Sequence, residues 1–163
     1  MAHQLGNLGI RLSNLNQHEE LLAATNKSIT LYQSLVKKNP ASYTPDLALQ
    51  LSYLGIWLSN LNQYTESLGA CQESVSLYWL LVVNNPATYN FHLAYFLDDL
   101  GQCLSHLNQL MELLKVTQES LLLYEALVIE NPTLHSGNHD IVQRHLDKCL
   151  SCLGQDTKLP DSA

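Results

Sequence analysis

Charge is what this chain has least of. Only 14% of its 163 residues are Asp, Glu, Lys or Arg, against roughly 25% in an ordinary soluble domain. Lys and Arg number eight, are scattered, and are outweighed by fifteen acidic residues, for a formal net charge of −7. Phosphate binding needs a basic stripe, so no nucleic-acid partner and no membrane partner is expected. Long apolar runs are missing as well. The longest, Leu77 to Val83, is far short of the roughly 20 residues that span a bilayer. The start, Met1-Ala2-His3-Gln4, has no basic region and no apolar core, so no secretory signal is read there. Cys71, Cys103, Cys149 and Cys152 are too few to demand disulfides, and a reducing, cytoplasmic setting is expected. No glycine-rich phosphate loop, Gly-x-Ser-x-Gly or zinc-protease motif is found. The expectation is therefore no enzyme and no cofactor. What remains is 46% apolar residues, enough for the core of one domain.

Self-similarity organises those residues. Leu12-Ser13-Asn14-Leu15-Asn16-Gln17 returns as Leu58-Ser59-Asn60-Leu61-Asn62-Gln63 and again as Leu104-Ser105-His106-Leu107-Asn108-Gln109, at a step of 46 residues. Leu150-Ser151-Cys152-Leu153-Gly154-Gln155 is a weaker fourth copy. Gly9, Gly55 and Gly101 keep the step, as do the pairs Asn39-Pro40, Asn85-Pro86 and Asn131-Pro132. Three repeats and a final half follow, at about 2–44, 45–90 and 91–136, with a capping helix at about 138–154 and a disordered tail at 156–163.

Each repeat reads as two helices. Leu47, Leu51, Leu54, Leu58 and Leu61 form one apolar stripe. Tyr64, Leu68, Cys71, Val75, Tyr78 and Val82 form the next. Asn62 and its counterpart Gly154 suit the left-handed residue after a helix end. Asn85-Pro86 stops the second helix. Thr44-Pro45-Asp46 suits a helix start, with Thr as cap and Pro first. Seven helices are expected, at about 2–15, 18–38, 45–61, 64–84, 91–107, 110–130 and 139–153. His139 and Gln143 replace the leucines of earlier copies, as a final helix wet on one side requires.

The pattern resembles the tetratricopeptide repeat. Leu8-Gly9, Leu54-Gly55 and Leu100-Gly101, each followed three positions on by Leu12, Leu58 or Leu104, match the family's first helix. Tyr64-Thr65-Glu66-Ser67 matches the start of its second. The repeat is longer than the family's usual ~34 residues. Tyr43-Thr44-Pro45-Asp46-Leu47-Ala48 and Ser74-Val75-Ser76-Leu77-Tyr78 look like long-repeat arrays of basidiomycete fungal proteins. The resemblance covers 2–155. It implies an all-α, right-handed superhelical solenoid of antiparallel helix pairs over 1–155, with protein or peptide partners.

In that family the first helices line a concave groove. The residues that would line it here are Ile10, Ser13 and Asn14, then Leu49, Ser52, Ile56, Ser59 and Asn60, then Tyr95, Asp98, Gln102, Ser105 and His106, and last Ile141, Arg144, Lys148 and Ser151. Most are neutral, so the expected ligand is a largely uncharged peptide or partner helix. Ser13, Ser59, Ser105 and Ser151 would form a ladder along it, and the competing reading of that ladder is that small residues are needed where helices meet. A different class of function is also open: a structural segment of a longer array, such as the sensor part of a nucleotide-binding switch protein, with no ligand of its own. Trp57 and Trp79 read as packing residues, and Glu19, Glu20, Glu66 and Glu112 as dipole partners at helix starts.

Cys103 and His106 are three apart on one helix, and Cys149 and Cys152 recur at the matching positions of the next. Stacked repeats could join them as a Cys₃His zinc site. Cysteine also packs as a small hydrophobe, and Cys103 matches Arg11 and Trp57 in other copies, so no metal is assigned. Met1 to Leu5 lacks the Thr-Pro-Asp start of the second copy, which suggests a fragment or short relative of a longer array. An uncovered repeat face at that end, including Ile10, favours a two-fold homodimer. Light scattering over a wide concentration range is expected to show the dimer; a strict monomer in low and high salt rules it out.

Overall fold

The computed structural model describes residues 18–156. The first expected helix, Ile10, Ser13 and Asn14, the N-terminal dimer face and the tail after 156 lie outside the described residues. Six helices follow one another: α1 (His18–Val36), α2 (Pro40–Asn60), α3 (Tyr64–Asn84), α4 (Pro86–His106), α5 (Leu110–Glu130) and α6 (Pro132–Asp156). Among the described residues there is no strand, and no helix is long and apolar enough to cross a membrane. The architecture is an all-α helical repeat. The described residues divide into two compact units, 18–89 and 90–156, described in turn.

The turns inside the helix pairs are set by asparagine. Asn62 and Asn108 have positive φ, 60° and 56°, the left-handed region that Asn tolerates better than most residues. That turn lets Gln63 N–H reach Leu58 C=O and Asn62 N–H reach Ser59 C=O, both at 2.9 Å, which satisfies the last carbonyls of α2. Asn108 and Gln109 repeat the pattern on α4, at 3.1 and 2.9 Å. Gly154 does not play this part, because α6 runs on to Asp156.

The boundaries between repeats differ from expectation. α2, α4 and α6 start at Pro40, Pro86 and Pro132, five, five and seven residues earlier than expected. The Asn of each Asn-Pro pair is the reason. Asn39 Oδ1 accepts from Ser42 N–H at 3.3 Å, Asn85 Oδ1 from Thr88 N–H at 3.2 Å and Asn131 Oδ1 from Leu134 N–H at 3.3 Å. Proline in the first helical position loses only a donor that has no partner there. Pro45 lies inside α2. The carbonyl it leaves unpaired belongs to Ala41, which is exposed and open to water.

In the first unit α3 returns antiparallel along α2. Ser67 Oγ donates to Gly55 C=O at 2.7 Å. Seven residues further along α3, Ser74 Oγ donates to Ala48 C=O, seven residues back on α2, at 2.8 Å. Such contacts bring the hydroxyl oxygen up to the neighbouring backbone, which only small residues permit. α1 closes on α2 through Ile29, Tyr32, Leu47 and Leu51, and the Tyr32 hydroxyl reaches Asp46.

The second unit repeats this register. Gly101 faces Leu113 and Thr117, and Ser120 Oγ donates to Ala94 C=O at 2.7 Å. Leu121, Tyr124 and Leu127 of α5 pack with Ala94 of α4 and Val142 of α6. Phe91 stacks on Tyr124 edge-on at 6.3 Å. Tyr124 reaches Asn138, the position equivalent to Asp46. Trp57 is half-buried, whereas Trp79 is 42% exposed on α3 and so is not a core residue. His139 and Gln143 are half-buried.

Two glycines give opposite expectations. A Cβ on Gly55 would run into Cys71 Sγ, with the α3 backbone close behind. Gly69 has nothing within 4 Å of its would-be Cβ. Alanine gains roughly 0.5–1 kcal/mol over glycine in a helix. Gly69→Ala is therefore expected to stabilise by about that amount, while Gly55→Ala destabilises by about 1–3 kcal/mol because overpacking outweighs the gain. Urea denaturation of the two variants checks both signs.

Candidate functional site

A cleft of about 220 Å³ opens within the second unit. α4 contributes Asp98, Gly101, Gln102, Ser105 and His106; α5 contributes Leu110, Leu113 and Thr117; α6 contributes His145, Lys148, Cys149 and Cys152. The sequence order puts these together for a simple reason. Asp98, Gly101, Gln102 and Ser105 recur three or four apart, so they share one face of α4. Gly101 lets α5 come close beneath, and Leu113 and Thr117 thus become the floor.

Five of the expected groove residues meet here: Asp98, Gln102, Ser105, His106 and Lys148. Tyr95, Ile141, Arg144 and Ser151 do not line the cleft. Tyr95 packs edge-on against Phe96 at 5.3 Å, and Arg144 Nε donates to the Asp140 carbonyl of its own helix at 3.2 Å. In the first unit Leu49, Ile56 and Ser59 are half-buried and Asn60 is exposed. Ser52 needs correction. It is 2% exposed and lies in the seam of α2 and α3, with its Oγ 2.6 Å from Ser74 Oγ and 2.9 Å from Ala48 C=O. No ligand in a groove could touch it.

The polar centre of the cleft is a pair the sequence reading missed. His145 Nδ1 lies 2.7 Å from Asp98 Oδ1, joining α6 to α4. The aspartate side chain is 16% exposed and the histidine 39%, so the contact is only partly open to solvent screening. Gln102 Nε2 donates to the other oxygen of Asp98 at a long 3.5 Å. The positions of His145 in earlier copies hold Tyr53 and Asp99, so periodicity gave no hint of it. The visible signal was only that a charge, Asp98, stands where the second copy has Ser52.

Among the described residues Asp99 is the most perturbed acid. Its Oδ2 is buried and has no hydrogen-bond partner. Burial, then the neighbouring Asp98 charge and Cys103, push its carboxyl up to about 7. Burial, and then Cys152, also push the Cys149 thiol up, and that thiol points to the Leu110 carbonyl at 3.7 Å. A thiol held protonated is a poor nucleophile and a poor metal ligand. The structure does not gather the four suspected zinc ligands: Cys103 is 2% exposed and is not in the cleft wall with His106, Cys149 and Cys152. Among the described residues no group of three or more His, Cys, Asp or Glu is placed to hold a metal ion.

No protein-family model matches the chain, and no curated protein matches it. Two solved structures with some likeness are a MamA RS-1 ArsTM double mutant, 16% identical, and MamA from residue 41 to the end from Desulfovibrio magneticus RS-1, 17% identical. The first alignment covers 96% of either chain and the second 97%, with a TM-score of 0.35 in both. At that level neither fold nor function carries over from them.

Asp99 makes stability depend on pH. Its carboxyl ordinarily titrates at 3.8 and in the folded chain at about 7. Between those values the folded state keeps a proton that the unfolded state has lost. Its contribution is therefore fully present below about pH 4 and is lost as pH rises through 7. The loss expected from this group is on the order of 2–4 kcal/mol. Urea denaturation at pH 4.5 and 7.5 is expected to show the fall, and Asp99→Asn to flatten it.

Proposed function

We propose that this chain is a non-catalytic protein-interaction module whose cleft in the second unit takes a largely uncharged peptide or partner helix. The observation that carries this reading is the wall chemistry. Among the described residues Asp98 is the one carboxylate lining the cleft, and it is engaged by His145. Lys148 is the one full cation among them. Gln102, Ser105 and His106 offer hydrogen bonds along one side, and Leu110 and Leu113 offer an apolar floor. Such a lining suits peptide backbone and small apolar side chains better than a string of like charges. The low charge of the whole chain fits the same ligand. A net charge of −7 disfavours nucleic acid. The protonated Cys149 thiol favours binding over catalysis.

The second reading is a structural segment of a longer repeat array of the long-repeat kind, with no ligand of its own. It draws on Ser52, which spends the equivalent of Asp98 on closing a helix seam.

Titration with random-sequence peptide pools separates the two. Saturable binding of neutral peptides, weakened about tenfold or more by Gln102→Ala combined with Ser105→Ala (about 1.4 kcal/mol), is the expected result. A preference for poly-acidic tails that disappears when Arg144 and Lys148 are neutralised overturns the uncharged-ligand reading. No saturable binding at all favours the structural segment.

A further inference from the structure

We propose that Cys149 and Cys152 are a reversible dithiol site in the wall of the cleft, which exchanges with a low-molecular-weight disulfide and closes into a disulfide of its own. The observation that carries it is placement. Both residues line the same cleft and stand three apart on one continuous helix, α6. That spacing puts both side chains on one face. Helix geometry sets their Cα atoms about 5 Å apart, inside the ~4.4–6.8 Å that disulfides use. The Lys148 cation lines the same cleft four residues before Cys152, and so on the same face. It suits a disulfide that carries carboxylates, such as oxidised glutathione.

Access differs between the two sulfurs and sets the order of events. Cys149 is 2% exposed, and its thiol points at the Leu110 carbonyl at 3.7 Å. Cys152 is half-buried, so it meets the incoming disulfide first. The Cys152 sulfur gives up its proton and bonds to one sulfur of that disulfide. The small S–S bond breaks, and the other half takes up a proton and leaves as a thiol. Cys149 then gives up its proton and attacks the Cys152 sulfur, and the second half leaves as a thiol in turn. Two cysteine thiols are oxidised to one disulfide while one small disulfide is reduced to two thiols. A relaxed disulfide holds its Cβ atoms ~3.8 Å apart, closer than the ~5–6 Å of an undisturbed helical turn. Closing the bond therefore distorts the end of α6, which stops at Asp156. Strained disulfides are the more easily reduced, which makes this one reversible in the reducing setting expected from the sequence. Closure also removes the proton that Cys149 offers to Leu110, and with it that tie between α6 and the start of α5.

The site stands apart from the binding reading above and is measured without peptide. Cys71 and Cys103 are 4% and 2% exposed and outside the cleft wall, so they serve as internal references. The full chain is held at pH 7.5 in a buffer of oxidised and reduced glutathione, its remaining thiols are trapped with N-ethylmaleimide, and the tryptic peptides are weighed. Residues 149–158 form one such peptide, which holds Cys149 and Cys152 and no other cysteine. That peptide is expected to lose the mass of two hydrogen atoms while Cys71 and Cys103 are trapped as thiols. Added reductant is expected to restore it. Cys149→Ser is expected to stop at the mixed disulfide with glutathione on Cys152, enriched about tenfold or more over the wild type, where an intramolecular thiol displaces it. Cys152→Ser is expected to form neither product. A wild-type peptide that stays reduced, that holds glutathione as stably as Cys149→Ser does, or that closes only in urea together with reaction of Cys71 and Cys103 overturns the site. The wild-type peptide decides even where a variant fails to fold.

Discussion

Everything in this fold depends on how closely the two helices of a pair can approach. At Ala48 and Ala94 a serine hydroxyl from the returning helix, Ser74 or Ser120, donates straight to a backbone carbonyl. At Gly55 and Gly101 the helix backbone lies against side chains of its partner with no room for a Cβ at the first and little at the second. These contacts fix both distance and register, because a slip of one residue would put a larger side chain against the carbonyl. They also spend few polar groups. A buried hydroxyl that finds a carbonyl avoids the ~1–3 kcal/mol penalty of an unmet partner, and the carbonyl keeps its own helical bond. A core can then form from medium-sized residues such as Tyr32, Leu51, Leu97 and Tyr124, all nearly fully buried.

The same constraint explains why the two units differ in chemistry while sharing a register. In the first pair the residue beside the Ala48 carbonyl is Ser52, small enough to enter the seam and share the carbonyl with Ser74. In the second pair the equivalent residue is Asp98. A carboxylate there cannot enter an apolar seam without a large desolvation cost. Ser120 takes the Ala94 carbonyl, and Asp98 turns to the cleft, where His145 meets it. One difference between copies thus converts a seam position into part of a polar cleft wall.

The sequence spoke clearly about whatever recurs. The 46-residue step, the leucine stripes and the left-handed Asn62 were all readable, because each is a local requirement repeated in every copy. Helix starts were misread for an equally local reason. Two competing start signals lie five residues apart, Asn39-Pro40 and Thr44-Pro45. Only the structure shows that the Asn side chain caps the helix while Pro45 is tolerated in the turn after. Small residues were the second weak point. The serine ladder of Ser59 and Ser105 drew attention, yet the serines that hold the seams are Ser74 and Ser120, at the same spacing and equally visible. Periodicity alone does not say which of two ladders faces inward. Of the residues expected along a groove, Asp98, Gln102, Ser105, His106 and Lys148 line one cleft. His145 and Asp99 did not show, since they break the repeat rather than keep it.

That last point extends to α6 as a whole. Under the repeat, Ala48 and Ala94 correspond to Asp140, and Gly55 and Gly101 to Asp147. Both aspartates are exposed, and Asp147 accepts from Gln143 Nε2 of its own helix at 3.0 Å. A following helix packed in the manner of α3 on α2 would have to press its serines and backbone against two carboxylates instead of an alanine and a glycine. Neither has room in that seam, and neither could ionise there without a counter-charge. α6 thus presents two carboxylates where α2 and α4 present an alanine and a glycine, although it offers Val142 and Leu146 to the preceding pair in the ordinary way. On the side turned to α4, where the earlier copies have Tyr53 and Asp99, it carries His145, which meets Asp98 in the wall of the cleft.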